Sequence, residues 1–135
     1  MIYQIFPFQY YYQTIVPSLL FVNCTNQTIL QIKQNYQGRL FVYFNSDHTS
    51  PFAIPAKEMT TFILVTSSGT DGLIYLGEDK AEYHTGDRVR VIGGPFIGAE
   101  GYIKRIKKDR KLIVSIDGVA AVAVAHIPMQ FIEKI

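Results

Sequence analysis

Residues 86–106, GDRVRVIGGPFIGAEGYIKRI, carry the strongest indication of fold in this chain of 135 residues. A strand-like segment begins the stretch and a second one ends it, and glycines stand between them at positions 93, 94, 98 and 101. Glycine tolerates sharp turns because it has no Cβ to clash with neighbouring backbone. The stretch therefore predicts two short strands joined by a tightly bent loop.

The same alternation of strand patterns and turns continues to the C-terminal residue. Asp117-Gly118 is typical of a tight turn between two strands, and residues 107–110 (KKDR) are typical of a charged hairpin tip. Several short strands separated by turn signals favour a small, strongly bent barrel. The strands predicted by these patterns cover residues 88–92, 99–106, 111–117, 119–126 and 130–134.

The front half of the chain has a different pattern. Residues 15–24 (IVPSLLFVNC) and 39–44 (RLFVYF) are rich in β-branched and aromatic residues and predict strands. Between them, Asn26 is a candidate N-cap and Gly38 a candidate C-terminal stop for a helix. A second helix is predicted to begin at Pro55, since proline suits the first helical position. This strand–helix–strand–helix order predicts an α+β layered unit.

Composition excludes several protein classes. The chain is 48% hydrophobic and only 18% charged, which excludes an intrinsically disordered chain. Its longest apolar stretch, near residues 15–22, is too short to span a bilayer. No basic residue precedes Lys33 to form the start of a signal peptide, and the single cysteine, Cys24, excludes an internal disulfide. These features predict a cytoplasmic protein without membrane contact.

Charge and aromatic residues divide the chain into three parts. Residues 1–67 hold 13 of the 18 aromatics and few charges, residues 68–85 are acidic with a net charge of −3, and residues 86–135 are basic with a net charge of +4. We therefore predict a front domain over residues 1–67, an acidic linker over 68–85 and a back domain over 86–135.

No catalytic residue, cofactor or metal site is predicted. His48, His84 and His126 lie in different segments and lack metal-ligand spacing. No Ser/His/Asp, Cys/His or paired-carboxylate arrangement is assigned to one site. Gly93-Gly94-Pro95 is not a phosphate loop, because no GK[ST] follows it. The sequence favours a protein that is not an enzyme.

Residues 86–106 also resemble a KOW motif, in which a strand, a Gly-x-Phe-x-Gly-x-x-Gly loop and a second strand follow one another. The residues that fit this motif are Gly86, Val89, Gly94, Phe96, Gly98 and Gly101.

Two front segments narrow the resemblance. Residues 16–22 (VPSLLFV) are similar to the Pro-Gly-Tyr-Val-Phe-Val strand of the NusG family of transcription elongation factors. Residues 51–59 (PFAIPAKEM) are similar to the Pro-x-x-Ile-x-x-x-Glu segment that begins a helix in that family. The phrases PSLLFV, IGGPF and GVAAVAVAHIP resemble the UpxY-type antiterminators of capsular polysaccharide operons in Bacteroides-like bacteria.

This resemblance implies an NGN-type α/β sandwich followed by a five-stranded, SH3-like KOW barrel. In the family, the NGN domain grips the clamp region of RNA polymerase through a hydrophobic pocket and suppresses pausing. The KOW domain recruits a second partner, which is a termination factor, a ribosomal protein or another regulator. Neither domain is catalytic in the family.

The chain departs from the family pattern at its start. The family's NGN domain has a strand and a long helix before the segment that matches residues 15–24, and nothing precedes Met1 here to supply them. We therefore expect an N-terminally truncated NGN domain that is incomplete, swapped between two chains as a homodimer, or dependent on a partner. Within the motif, Ser18 replaces the usual glycine and Leu19 the usual tyrosine.

Two groups of residues are candidates for partner binding. The first, on the front strands and the loop after them, would meet RNA polymerase; the alternative, that all five are core residues, stays open. It comprises Leu19, Phe21, Phe41, Tyr43 and Phe52. The second group is basic and would hold nucleic acid or another partner, as in an RNA- or ribosome-binding KOW module; the alternative is a solvated hairpin tip. It comprises Lys104, Arg105, Lys107, Lys108, Arg110 and Lys111.

Overall fold

The computed structural model describes residues 2–4 as backbone and residues 19–67, 72–124 and 127–135 with their side chains. It is an α+β protein, as the sequence predicts. The chain divides into two compact units, Met1–Pro55 and Ala56–Ile135, here called the first and the second unit. The elements are β1 (Ile2–Gln4), β2 (Val22–Cys24), α1 (Asn26–Asn35), α2 (Ala56–Thr66), β3 (Ile74–Gly77), β4 (Asp87–Val91), β5 (Glu100–Ile106), β6 (Asp109–Ile116), β7 (Ala120–Val124) and β8 (Ile132–Lys134).

The second unit is built on one six-stranded antiparallel sheet. Its strand order is β3-β7-β6-β5-β4-β8. The five strands predicted from sequence correspond to β4–β8, with described ends that differ by at most about two residues. Residues 125 and 126 of the strand predicted over 119–126 lie outside the described residues. A sixth strand, β3, pairs with β7 through Ile74 opposite Ala123. This strand was not predicted, and it lies inside the acidic stretch of residues 68–85 that the sequence suggested as a linker.

Two central strands and one helix form the core of the second unit. All five residues of β7 are buried, and so are Leu112, Ile113 and Val114 of β6. Consecutive buried residues on a strand require cover on both faces of the sheet. Helix α2 packs against β6, and its Phe62 is 1% exposed. The sequence predicts α2 as part of the front domain over residues 1–67. In the structure, α2 packs against β6 of the second unit.

The first unit contains a two-stranded antiparallel pair and a helix. Strand β1 pairs with β2, with Ile2 opposite Cys24. The predicted strand over residues 15–24 is observed at Val22–Cys24, and its residues 15–18 lie outside the described residues. Helix α1 begins at Asn26, but its N-cap is Thr25, whose hydroxyl accepts a hydrogen bond from the Thr28 amide. Thr25 takes the cap because its backbone is extended while Asn26 is already helical.

The strand predicted over residues 39–44 does not form. Residues 40–43 have no regular secondary structure, and Phe44 makes an isolated bridge to Pro51. The apolar composition of RLFVYF suits a strand, but a strand also needs a hydrogen-bonding neighbour. In the described part of the first unit, the only β-bridge made by this segment is the one between Phe44 and Pro51. None of the helices in the described residues has the length and apolar character needed to cross a membrane.

Candidate functional site

The segment at residues 41–44 projects two aromatic side chains into solvent. Phe41 is 87% exposed and Tyr43 is 48% exposed. The side chains between and after them, Val42 and Phe44, are half-buried. Side chains of an extended segment alternate in direction, so Phe41 and Tyr43 lie on the outward face. We call this pair the aromatic pair.

The inward residues of the same segment line a depression. Val42 and Phe44 border it together with Lys33 and His48. The Lys33 ammonium lies 4.6 Å from the centroid of the Phe44 ring, within the range of a cation–π contact. This contact anchors the inward face of the segment against α1, which leaves the aromatic pair on the other side.

The turn after the segment is closed by hydrogen bonds. The Asn45 amide donates to the Ser50 carbonyl at 2.9 Å, and the Phe52 amide donates to the Tyr43 carbonyl at 2.8 Å. The backbone amide and the hydroxyl of Thr49 both donate hydrogen bonds to the Asp47 carboxylate. These bonds, that of the backbone amide most, lower the pKa of Asp47. These hydrogen bonds therefore fix the backbone of the loop that follows the aromatic pair.

The five predicted polymerase-binding residues fall into three groups by exposure. The aromatic pair is exposed, whereas Phe21 is 7% exposed and belongs to the core. Leu19 and Phe52 are half-buried. Leu20, which the sequence analysis did not select, is 59% exposed. The alternation of side chains along a strand could have suggested Leu20, because it lies on the face opposite Phe21.

Two glycines of the KOW-like stretch, Gly86 and Gly101, lie where a Cβ would clash with the backbone of a neighbouring strand. A Cβ on Gly101 would lie 2.1 Å from the Ile113 carbonyl oxygen of the neighbouring strand. Gly86 has a φ of +103°, and a Cβ there would lie 2.8 Å from the Ile103 carbonyl oxygen. Both contacts are closer than real Cβ atoms come to oxygen. These two glycines let β4, β5 and β6 approach one another.

The remaining motif residues form the core and the β4–β5 loop. Val89 is 2% and Phe96 is 6% exposed. The Gly98 amide donates to the Val91 carbonyl at 2.8 Å, closing the loop that also contains Gly94. The motif therefore shapes the hairpin, and its own side chains are mostly inside the protein.

The β5–β6 hairpin brings basic residues of the two strands opposite each other. Lys104 pairs in register with Lys111, and Arg105 with Arg110. Like charges directly opposite in a sheet destabilise the pairing. Lys107, with φ of 49°, and Lys108, with φ of 76°, form the turn in a left-handed conformation that asparagine and glycine prefer. The hairpin tip thus keeps its positive charge at some cost in stability.

The six residues of this basic hairpin are not neutralised by carboxylates. Within the described parts of the chain, no ion pair joins any of them to an acidic side chain. The Lys104 ammonium donates instead to the Glu82 carbonyl oxygen, and one guanidinium nitrogen of Arg110 lies 3.9 Å from the Met129 sulfur. The hairpin therefore carries a net positive charge, with six basic side chains against the one carboxylate of Asp109 within residues 104–111.

The other basic residues of the second unit contrast with this hairpin. Lys57, Arg88 and Arg90 surround Glu100 at 2.9, 3.3 and 2.9 Å. The Glu100 side chain is only 10% exposed. The hydrogen bond from Lys57, followed by that from Arg90, lowers the pKa of Glu100. Glu100 in turn raises the pKa of Arg90. This cluster ties the start of α2 to β4 and β5.

A third cluster was not foreseen from the sequence. Asp79, His84 and Asp117 each offer one ligand atom, and these atoms lie within 4.8 Å of one another. The His84 Nε2 is 2.8 Å from Asp79 Oδ2 and 3.9 Å from Asp117 Oδ1. The Gly118 amide also donates to Asp79 Oδ2 at 3.0 Å. No short spacing motif could reveal the cluster, because folding brings the β6–β7 turn beside the acidic stretch.

Comparison of the chain with protein-family models, with curated proteins and with solved structures found no match in any of the three. The function therefore has to be inferred from the residues and surfaces described above.

Proposed function

We propose that this chain is a non-enzymatic regulator of transcription elongation and antitermination of the NusG type. It binds the clamp region of RNA polymerase through the first unit and a second partner through the second unit. The observation that carries this function is the exposure of the aromatic pair, Phe41 and Tyr43, on a hydrogen-bonded support.

The topology of the second unit supports a small SH3-like barrel of the KOW type. Strands β4 to β7 follow one another as an antiparallel meander, and β8 returns to pair with β4, with Arg90 opposite Glu133. The close approach at Gly101 and the loop closed by Gly98 explain why the KOW-like stretch has glycine at these places. The resemblance of residues 86–106 thus has a physical basis in the strand contacts.

The aromatic pair has the properties of a binding hot spot. Aromatic side chains dominate the energetics of many protein interfaces, because they combine large apolar area with few rotatable bonds. Fully burying a phenylalanine side chain contributes about 1.5–3 kcal/mol. Phe41, at 87% exposed, has nearly all of this free energy left to gain from a partner. Tyr43 adds a hydroxyl that can donate to a polymerase carbonyl.

The direct test is a binding titration with purified core RNA polymerase from a Bacteroides-like bacterium. The double variant Phe41→Ser/Tyr43→Ser is expected to bind at least about tenfold more weakly than the parent chain. Tyr36→Ser is the matched control, because Tyr36 is a 54% exposed aromatic of the same unit. The function is contradicted if the parent chain does not bind polymerase, or if the control loses as much affinity as the double variant.

A transcription assay separates binding from regulation. In a single-round reaction on a template with a defined pause, the parent chain is expected to shorten the pause, and the double variant is expected to leave it unchanged. A chain that binds polymerase but lengthens or ignores the pause would retain the interaction and contradict the antitermination role.

The basic hairpin favours a second candidate function, an RNA- or ribosome-binding KOW module. Its six basic side chains lack carboxylate partners in the described residues, and two same-sign pairs face each other across the strands. Such a field attracts phosphates, and binding of this kind weakens steeply with salt.

This candidate is tested by RNA affinity measured over a salt series. Lys108→Glu is expected to weaken binding and to reduce the steepness of the salt dependence, by about 0.7 in slope for each phosphate of a single strand that the hairpin no longer neutralises. Lys80→Glu makes the same charge change at an exposed residue outside the hairpin. Equal effects of the two variants, or RNA binding that salt does not alter, would exclude specific use of the hairpin.

A further inference from the structure

We propose that Asp79, His84 and Asp117 form a binding site for a divalent transition-metal ion of the zinc class. This site is independent of the polymerase-binding function, since it lies entirely in the second unit and uses none of the aromatic or hairpin residues. We call these three residues the Asp-His-Asp cluster.

The three ligands come from separate parts of the fold. Asp79 follows β3, His84 ends the 3₁₀ turn Ala81–His84, and Asp117 begins the turn between β6 and β7. The Gly118 amide donates to Asp79, and the Asp117 amide donates to a Glu58 carboxylate oxygen at 3.1 Å. The turn that carries Asp117 is therefore positioned by side chains on both sides of it. Such preorganisation lowers the entropic cost of assembling a metal site.

The burial of the Asp79 carboxylate is an independent indication that the cluster binds a metal ion. The Asp79 side chain is only 3% exposed, and it faces His84. Its Oδ2 accepts hydrogen bonds, but its Oδ1 is buried and has no hydrogen-bond partner among the residues that the structure describes. A buried carboxylate oxygen without a partner is costly, because it loses its hydration without replacement. A bound divalent cation beside Asp79 would supply the missing positive charge to the whole carboxylate.

The donor set selects the class of metal. One imidazole nitrogen and two carboxylate oxygens suit zinc, cobalt and related ions, whereas magnesium and calcium prefer oxygen ligands alone. Around a tetrahedral zinc ion, neighbouring ligand atoms stand about 3.3 Å apart. The His84 Nε2 distances of 2.8 Å to Asp79 and 3.9 Å to Asp117 lie on either side of this value. Small movements of the side chains would therefore accommodate the ion.

The site has an open side for ion access and for water ligands. The Asp117 side chain is 77% exposed and the His84 side chain is 30% exposed. The His84 ring packs edge-on against Tyr102, with 5.4 Å between ring centroids, which restricts its orientation. A metal ion held here would cross-link the acidic stretch after β3 to the β6–β7 turn. Its role would be to stabilise the second unit.

The test is a titration of the full chain with Zn²⁺ alone by isothermal calorimetry, repeated with Co²⁺ by visible absorption. One ion is expected to bind per chain and to raise the thermal unfolding midpoint. Asp79→Asn and Asp117→Asn are each expected to weaken binding by about 100-fold. Asp117→Asn is the decisive variant, because the Asp117 side chain is 77% exposed and its substitution is expected to leave folding intact, whereas the Asp79 side chain is only 3% exposed. His48→Ala is the matched control and is expected to bind as the parent does.

Three outcomes would overturn the metal site. The first is no Zn²⁺ binding by a folded parent chain, which would leave Asp79 and His84 as a structural hydrogen-bonded pair. The second is binding that Asp117→Asn leaves unchanged. The third is binding that His48→Ala weakens as strongly as Asp117→Asn does, which would place the ion elsewhere.

Discussion

Among the described residues, the two units differ in how many large apolar side chains they bury. In the second unit, β7 is buried along its whole length, and β6 buries Leu112, Ile113, Val114 and Ile116. In the described residues of the first unit, the large apolar side chains that are buried are few. They are Phe21, Ile29 and Ile54. Both units also expose large apolar side chains. In the first unit these are Leu20, Leu30, Tyr36, Phe41 and Tyr43, and in the second Tyr75, Ile92, Ile97, Met129 and Ile135.

The difference in apolar burial indicates which unit has the larger described core. A sheet whose central strands are covered on both faces gains most of its stability within its own unit. Exposed aromatic side chains such as Phe41 and Tyr43 contribute little to folding and are frequent anchors of protein interfaces. On our proposal, the described core of the second unit stabilises that unit, and the aromatic pair of the first unit provides recognition.

Substitution in the second core is expected to have the largest effect. Phe62→Ala removes a side chain that is 1% exposed, and it should lower the free energy of unfolding by about 3–5 kcal/mol. Phe41→Ala, at an 87% exposed position, should change it by less than about 0.5 kcal/mol. Urea denaturation followed by far-UV circular dichroism measures both. Equal costs for the two variants would remove the contrast between the units.

The glycines offer the next comparison. Gly101→Ala forces a Cβ to within 2.1 Å of a backbone oxygen, so the strands must shift, at a cost of about 3 kcal/mol. Gly38→Ala in the first unit meets no atom of the described residues within 4 Å, and its φ of +76° costs about 1–2 kcal/mol. The difference in urea midpoints tests this order. A tolerated Gly101→Ala would contradict the close packing of β5 on β6.

The lowered pKa of Glu100 predicts how the stability of the second unit changes at acid pH. Its pKa is lowered from its ordinary value of 4.5, chiefly by the hydrogen bond from Lys57. A carboxyl with a lowered folded-state pKa stabilises the protein above its unfolded-state pKa, and this contribution is lost as the pH falls through the folded-state pKa. Glu100→Gln should therefore cost about 1–2 kcal/mol at pH 7, less than for a fully buried pair because its cationic partners are exposed.

The same substitution should cost little at acid pH. As the pH falls below 4.5 and through the lowered folded-state pKa of Glu100, the parent chain loses this contribution and its stability converges with that of the variant. Thermal or urea unfolding at several pH values measures this convergence. A difference between the two proteins that does not depend on pH would show that the glutamate acts by packing alone.

The smallest expected effect on stability lies at the hairpin tip. Lys108→Gly relieves a left-handed φ of 76° and should stabilise the chain by about 0.5 kcal/mol, because the relief exceeds the entropic cost of glycine only slightly. The urea midpoint should rise, while affinity for RNA falls if the basic hairpin binds phosphates. A destabilised Lys108→Gly would indicate that the lysine makes a favourable contact at the turn.

The strands of the second unit were predictable from sequence because their signals are local. Turn residues such as Asp117-Gly118 and the glycines near residue 94 mark the ends of segments with strand composition. Strand β3 was missed because it is four residues long and stands among acidic residues. Its pairing with β7 is a tertiary contact that no local pattern encodes.

Other features of the structure depend on contacts between residues that are distant in the sequence, and local patterns do not predict them. Residues 39–44 have strand composition, but no strand pairs with them in the described part of the first unit. The aromatic residues of the front segments were found by composition, while the burial of Phe21 and the exposure of Leu20 depend on which face packs inward. The Asp-His-Asp cluster was missed because its members meet only when the β6–β7 turn folds against the acidic stretch.

Hydrogen–deuterium exchange of the full chain, free and bound to core RNA polymerase, tests the central claim most directly. The division between the two units predicts that polymerase protects the amides of residues 40–44 around the aromatic pair and leaves those of β6 and β7 unchanged. Protection confined to the basic hairpin of residues 104–111, or no protection anywhere on a chain that is saturated with polymerase, would contradict recognition by the first unit.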